Sequence, residues 1–196
     1  MANSSAQVPF ILASASPRRL DLLAQIGLRP AVVDAPHIDE AVLPRELPGT
    51  YARRIAQEKL AAVAPRHPGA FVLAADTVVA LGRRILPKAE DAATAQRCLE
   101  LLSGRRHKVV GGIAIAAADG RHAIRVVSTN VIFKRLEAAE IERYIAGGEW
   151  YGKAGGYAVQ GQAAAFIPSI GGSYSNIVGL SLSDVYAMLT GLGYKV

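Results

Sequence analysis

Cysteine is almost absent from this chain of 196 residues, with Cys98 as its single example. No disulfide can therefore form within the chain, and the histidines show no metal-ligand spacing that would point to a zinc site. Cys98 shares one predicted helical face with Ala95, Leu99 and Leu102, which indicates a packed thiol. A chain without disulfides is typical of a reducing compartment, so we expect a cytoplasmic protein.

Long apolar runs are also missing. The longest, Phe71 to Leu81, is interrupted by Asp76, whereas a membrane helix needs about 20 apolar residues. The first seven residues are small and polar and lack the basic and then apolar form of a signal peptide. We expect no membrane partner and a disordered tail over residues 1–7.

Three common functional motifs do not occur. The chain has no G-x-x-x-x-G-K-[ST] loop for triphosphates, no G-x-G-x-x-G turn after a strand for dinucleotides, and no G-x-S-x-G nucleophile elbow. Aromatic residues make up only 6% of the chain, and no basic stripe alternates with stacking aromatics. We therefore expect no stable nucleic-acid partner, and any phosphate binding must use other residues.

Positive charge is in excess. The 22 lysines and arginines outnumber the 16 acidic residues, and the formal net charge is +6. Most of the cations are arginines, which suit bidentate binding of phosphate, although genome composition can produce the same bias. A hydrophobic content of 51% indicates a globular protein with a substantial core, arranged as one domain or as two closely packed lobes.

Helical and strand patterns alternate in the first half, and Asp119-Gly120 then signals a hairpin between two long strands. This order predicts an α/β fold in which helices flank a mixed sheet, with no internal repeat or linker. One helix is expected to begin at Ser16 and Pro17, and another after Thr50 as its N-cap. The remaining predictions are strands over 8–13, 71–81, 107–117, 122–136 and near 163–167, and helices over 51–64, 91–102, 138–146 and 183–192.

The stretch from Ser14 to Arg19 places two arginines in the first turn of a helix. The positive end of a helix favours acidic residues there, by about 0.3–1 kcal/mol each, so Arg18 and Arg19 run against the usual preference. One interpretation is that the hydroxyls, free backbone N–H groups and guanidinium groups form a phosphate site. The other is that both arginines are solvated on a surface helix.

Asp76 lies inside a run apolar enough for a strand buried on both faces. An unpartnered carboxylate there would cost several kcal/mol, so Asp76 must pair with a cation, bind a metal or face a cleft. Glu40 offers another carboxylate for Mg²⁺ or Mn²⁺, although by itself it reads as a surface residue. Taken by itself, Lys59 is interpreted as a lysine that extends along its helix to water, and Lys88 as an ordinary loop lysine.

A third cluster combines glycines with aromatic residues and a lysine between Gly148 and Tyr157, followed by Gln160-Gly161 and by a second glycine-hydroxyl turn over 171–176. Such glycines bring the backbone close to a planar or anionic group, or they simply form flexible loops.

Taken together, these segments resemble the Maf family of nucleoside triphosphate pyrophosphatases. The resemblance runs from Ile11 nearly to the C-terminus. Within this family, the chain resembles the branch that acts on dTTP and UTP, because Arg18, Thr77 and Gln160 match the specificity positions of that branch. The motifs that carry it, in chain order, are Ser14 to Arg19, Ile38-Asp39-Glu40, Ala75 to Val79, Leu102-Ser103-Gly104 with His107, Lys153 to Tyr157, Gln160-Gly161, Gly172-Ser173-Tyr174 and Val178-Gly179-Leu180.

The resemblance implies hydrolysis between the α- and β-phosphates by a single Maf-like domain over residues 1–196. Its fold is an elongated mixed sheet in two lobes with a central cleft, similar to ITP pyrophosphatases. Asp76 would be the proton acceptor, and Glu40 and Asp76 would lie near a divalent cation, Mg²⁺ or Mn²⁺. Many members are dimers, so a homodimer is one expectation, and a role in nucleotide-pool cleaning or cell-division control is another. The residues implied in substrate binding are Ser14, Arg18, Arg19, Lys59, Thr77, Lys88 and Gln160.

The chain departs from the family pattern at three places. Pro87-Lys88-Ala89 stands where Gly-Lys-Pro is usual, Trp150-Tyr151-Gly152 stands where Pro and Asp are common, and Ser181 replaces a Pro. These changes leave the proposed catalytic residues in place. They affect the loop that is expected to line the base pocket, and therefore the substrate preference. Two alternatives stay open at this point: a basic phosphate- or nucleic-acid-binding regulator without turnover, and a pyrophosphatase for purine or modified nucleotides.

Overall fold

The computed structural model describes residues 8–196, so the tail expected over residues 1–7 lies outside the described residues. The strands of the described part are β1 (Phe10–Ala13), β2 (Val32–Val33), β3 (Phe71–Leu81), β4 (Arg84–Leu86), β5 (Lys88–Ala89), β6 (Arg106–Ala116), β7 (His122–Ile132), β8 (Lys153–Ala154) and β9 (Ser169–Gly171). The helices are α1 (Pro17–Gln25), α2 (Pro48–Val63), α3 (Ala92–Leu102), α4 (Ala138–Ala146), α5 (Tyr174–Val178) and α6 (Leu182–Gly191), with 3-10 turns at Ala64–Arg66 and Gln162–Phe166. None of these helices combines the length and apolarity that a membrane span requires.

Seven strands form one mixed sheet in the order β2-β1-β3-β6-β7-β9, with β4 paired to β3. Strand β1 runs parallel to β2 and β3, whereas β3, β6, β7 and β9 pair antiparallel. Strands β5 and β8 form a separate two-stranded ribbon. The expected α/β fold with a mixed sheet flanked by helices is confirmed.

Separate apolar clusters pack against the two ends of the long central strands. At one end, Leu73 of β3 packs with residues of α1 and α6. At the other end, Val79 of β3 packs with α3, α4 and the loop that contains Tyr157. Between these clusters β3 carries Asp76 and Thr77, so the polar residues of the strand lie where the two apolar regions separate.

Helix α2 crosses the sheet directly over Gly112 of β6. Gly112 pairs with Asp76 in the sheet register, and a Cβ atom at Gly112 would overlap the carbonyl oxygen of Ala52 and lie 3.2 Å from Cβ of Ala56. The absence of a side chain at Gly112 therefore lets α2 approach the sheet closely. Because Lys59 follows Ala56 by three residues, it lies on the same helix face and is held next to Asp76.

We expect Gly112→Ala to destabilise the protein by about 3 kcal/mol, because the added methyl group must push α2 away from β6. The free energy of unfolding in urea measures this loss. Gly191→Ala is the matched control, since a Cβ atom at Gly191 meets nothing within 4 Å. A Gly112→Ala variant as stable as the Gly191→Ala variant would show that the close approach of α2 is not needed.

The predicted positions of several helix starts, strands and turns were confirmed. Helix α1 begins at Pro17 and strand β3 spans Phe71–Leu81 as expected. Helix α3 is capped by Asp91, whose side chain accepts a hydrogen bond from the Thr94 backbone at 2.6 Å. The β6–β7 hairpin forms around Asp119-Gly120, as expected.

Three local predictions were wrong. Helix α2 begins at Pro48 rather than after Thr50, because the fixed backbone angle of proline suits the first helical position. The segment expected as a strand near 163–167 is a 3-10 turn that buries Ala163 and Phe166 on one side. Strand β7 ends at Ile132 instead of reaching Leu136, and the backbone N–H of the following Lys134 donates to the carbonyl of Phe166.

Candidate active site

Asp76 has the cation partner that its burial requires. The residue is only 4% exposed, and its Oδ1 atom accepts a hydrogen bond from Lys59 Nζ at 2.8 Å. Lys59 is itself 6% exposed, so this lysine does not extend to water as one interpretation of the sequence held. No group of residues 8–196 donates a hydrogen bond to the other carboxylate oxygen, Oδ2.

Glu40 extends this ion pair into a chain of alternating charges. Its Oε1 atom lies 2.8 Å from Lys59 Nζ, and its Oε2 atom lies 2.7 Å from Lys88 Nζ. Burial alone would raise the pKa of Glu40, but the hydrogen bonds from the two lysines outweigh it and lower the pKa to about 2. Tyr51 of α2 donates its hydroxyl to the Glu40 carbonyl at 2.8 Å and so fixes the loop that carries this carboxylate.

Arg19 is buried and connects three parts of the chain. Its Nη1 atom donates to Ser14 Oγ at 2.9 Å, and its Nε atom donates to the Gly179 carbonyl at 3.0 Å. The Thr77 hydroxyl donates to the same carbonyl at 3.1 Å and accepts from Arg19 Nη2 at 3.4 Å. Burial lowers the pKa of Arg19, and the nearby Asp76 carboxylate opposes that shift. Arg19 thus holds the start of α1 against β3 and the loop before α6.

Arg18 behaves differently from its neighbour. It is half-buried, and within residues 8–196 it forms no hydrogen bond or ion pair. Burial lowers the pKa of its guanidinium group. The interpretation in which both arginines are solvated on a surface helix is therefore wrong for Arg19, while Arg18 faces open space next to the site.

That space is a cavity of about 370 Å³, which is within the range of small-molecule sites. Its walls come from α1, α2, β3 and the glycine-rich loop around β8. The predicted site residues that line it are Arg18, Arg19, Lys59, Asp76, Thr77, Lys88 and Gln160. Ser14 and Glu40 are not part of its wall; Ser14 accepts hydrogen bonds from Arg19 and the Ser16 backbone, and Glu40 contacts the two lysines.

The structure adds two groups that were not among the predicted site residues. Lys153 of β8 lines the cavity from the wall formed by the glycine-rich loop, and the Gly179 carbonyl accepts from both Arg19 and Thr77. Lys153 had a signal in the sequence, because it is the only lysine of the glycine-aromatic cluster. The role of the Gly179 carbonyl could not be predicted from the sequence, because every residue carries a backbone carbonyl.

His107 belongs to the core rather than to the site. Its side chain is 1% exposed, and its Nε2 atom lies 2.8 Å from the Tyr157 hydroxyl. Burial lowers the pKa of His107 to about 4, so the ring is neutral near pH 7. The imidazole packs edge-on against Phe133 as well.

The mixed sheet and the cationic cavity with its buried carboxylate define an α/β protein whose cleft suits a small, highly charged anion. Residues 9–192 match the family model described as Maf-like protein, so the chain belongs to the Maf family. The family resemblance of the sequence is therefore confirmed over nearly the whole chain.

Curated relatives match along almost the full length. A "dTTP/UTP pyrophosphatase" of Paramagnetospirillum magneticum is 65% identical over 185 residues, which cover 94% of this chain and 97% of that protein. A "dTTP/UTP pyrophosphatase" of Rhodospirillum rubrum is 62% identical over 187 residues, covering 95% of this chain and 89% of that protein. A solved structure of a HAM1 protein from Coxiella burnetii aligns with a TM-score of 0.46 at 18% identity, over 66% of this chain and 75% of that one.

Proposed function

We propose that this protein hydrolyses the bond between the α- and β-phosphates of nucleoside triphosphates, in particular dTTP and UTP. The products are a nucleoside monophosphate and pyrophosphate. The observation that carries the proposal is a buried carboxylate, Asp76, at the wall of a cavity that five cationic side chains also line. The names of the relatives with 65% and 62% identity support the same reaction and the same substrates.

Asp76 is the general base in this proposal. Lys59 occupies Oδ1, which leaves Oδ2 to accept a proton from a water molecule placed for attack on the α-phosphate. The ion pair with Lys59 also fixes the orientation of the carboxylate. As the water proton passes to Oδ2, the water oxygen forms a bond to the α-phosphorus, and the bond from the α-phosphorus to the bridging oxygen breaks, so that pyrophosphate leaves.

In this proposal the two carboxylates share a divalent cation with the substrate. Within residues 8–196 no three His, Cys, Asp or Glu side chains come together as a metal site, but Glu40 and Asp76 both contact Lys59 Nζ at 2.8 Å and so lie close to each other. Mg²⁺ is commonly held by one or two carboxylates, with phosphate and water oxygens as its other ligands. Glu40 and Asp76 would hold the cation, which supplies charge neutralisation and polarisation of the phosphate oxygens.

The cationic side chains bind the triphosphate in this proposal. Lys59, Lys88 and Arg18 approach from α2, β5 and α1 and offset the negative charge of the triphosphate. Arg19 contributes positive charge and holds the cavity wall in place, since its Nε, Nη1 and Nη2 atoms already donate to protein atoms. Ser14 acts through Arg19 and the Ser16 backbone.

Thr77 and Gln160 read the base in this proposal. Because the Thr77 hydroxyl donates to the Gly179 carbonyl, it can offer only an acceptor to a ligand. Thymine and uracil both present an N3–H donor between two carbonyl groups, whereas cytosine has an acceptor at N3. The side-chain amide of Gln160 can donate to one of those carbonyl groups.

A panel of nucleotides with detection of pyrophosphate tests the proposed function. In the presence of Mg²⁺ or Mn²⁺ we expect dTTP and UTP to give pyrophosphate, and kcat/KM for CTP to be at least about 100-fold lower, because a hydrogen-bonding site rejects an analogue with the wrong polar group. Orthophosphate as the product would contradict the reaction. Equal turnover of CTP would contradict the role of Thr77, and faster turnover of purine triphosphates would favour the purine alternative.

A further inference from the structure

The cations that line the cavity differ in how their charge is balanced. Lys59 and Lys88 form ion pairs with Asp76 and Glu40 at 2.7–2.8 Å. Arg18, Arg19 and Lys153 form no ion pair with any of residues 8–196, but only Arg19 donates hydrogen bonds from three guanidinium nitrogens to neutral protein atoms. The part of the cavity near Arg18 and Lys153 therefore carries positive charge that no protein carboxylate neutralises at short range.

Arg18 and Lys153 line the same cavity. Burial lowers the pKa of Lys153, and the charge of Arg18 lowers it further, with only Glu149 opposing. The Lys153 ammonium donates one hydrogen bond, to the Tyr151 carbonyl at 2.9 Å, so two of its protons are free for a ligand. Two partly buried like charges are costly unless an anion binds between them.

The backbone holds Lys153 in place. Strand β8 pairs with β5, so the residue before Lys153, Gly152, donates its backbone N–H to the Ala89 carbonyl at 2.8 Å. Gly155 has a φ of +66°, and a Cβ atom there would lie 2.8 Å from a methyl group of Val79. Only glycine allows this loop to pack so closely on β3, at a position three residues after Asp76.

We propose that Lys153 is a further substrate-binding residue, which together with Arg18 binds the β- and γ-phosphates that leave as pyrophosphate. This inference rests on the proposed function. The Lys59 end of the cavity holds the carboxylates and the site of water attack, and its cations are already neutralised. Arg19 already donates its Nε, Nη1 and Nη2 atoms to protein atoms, so Arg18 and Lys153 are the cations that best match the phosphates that gain charge during cleavage.

Binding of inorganic pyrophosphate and of dTMP, each measured by calorimetry with Mg²⁺, tests the inference. We expect Lys153→Met to weaken pyrophosphate binding about 10- to 100-fold, as loss of a charged hydrogen-bonding group does. Lys153→Arg, which keeps the charge, should weaken it less than about 5-fold. Binding of dTMP should stay within about 2-fold in both variants, because it lacks the leaving phosphates.

Lys108→Met is the matched control, because it removes the same charge from an exposed lysine of β6 outside the cavity. Unchanged pyrophosphate binding in Lys153→Met, or an equal loss in Lys108→Met, would overturn the inference. A loss for dTMP as large as that for pyrophosphate would place Lys153 at the other end of the substrate and also overturn it. The proposed function has its own test, since it fails when the unmodified protein does not hydrolyse dTTP or UTP, whatever the pyrophosphate result.

Discussion

Asp76→Asn is expected to lower kcat for dTTP about 1,000-fold, because removal of a general base costs about 10²- to 10⁴-fold. The asparagine oxygen can still accept the hydrogen bond from Lys59, and Lys59 keeps its ion pair with Glu40. The variant should therefore stay folded while losing the group that takes the water proton. Release of pyrophosphate under saturating dTTP and Mg²⁺ measures the effect.

The control for this substitution is Asp119→Asn, which changes an exposed carboxylate at the β6–β7 turn in the same way. Its rate should equal that of the unmodified protein. An Asp76→Asn variant that retains more than about a tenth of kcat would contradict the role of Asp76 as the base. Thermal melting of both variants separates loss of catalysis from loss of fold.

Lys59→Met should destabilise the protein by about 3 kcal/mol. Methionine fills a similar volume, but it leaves the Asp76 carboxylate buried and without its cation, and breaking a buried pair in this way costs about 3–5 kcal/mol. Glu40 still has Lys88 as a partner, so the loss arises mainly at Asp76. The free energy of unfolding in urea gives the magnitude.

A double-mutant cycle makes this prediction specific. Because Asp76→Asn removes the buried charge, its addition to Lys59→Met should restore more than about half of the lost stability. A double variant whose loss equals the sum of the single losses would show that Lys59 and Asp76 do not interact. Turnover of dTTP should stay low in every variant of the cycle, since both residues line the cavity.

Several features of the site were predictable because they follow from local chemistry. The apolar run around Asp76 predicts both a strand and the need of its carboxylate for a partner or a cleft. Pro17 predicts the start of α1, which sets Arg18 and Arg19 in the first turn. The glycines around Lys153 predict a close approach of the backbone, although Gly155 and Gly156 approach Val79 and Ala95 rather than the planar or anionic group that was expected.

The partners of these residues were not predictable, because they depend on how distant elements pack. Lys59 reads as a solvated lysine in its own helix, and it reaches Asp76 only because Gly112 lets α2 lie close to β6. Arg18 and Arg19 are adjacent in sequence and both line the cavity. Arg19 donates hydrogen bonds to the Gly179 carbonyl and to Ser14 Oγ, whereas Arg18 has no such partner among residues 8–196.

The sequence by itself determined the family, the mixed α/β fold and, apart from Lys153, the charged residues that line the cavity, because motif order and local periodicity are properties of the chain. Only the tertiary structure decided which charges neutralise one another. Lys59 and Lys88 are paired with carboxylates, whereas Arg18 and Lys153 are left for an anion. That division depends on distances of a few ångströms between side chains from different elements, and Coulomb energies change steeply over such distances in a partly buried cleft.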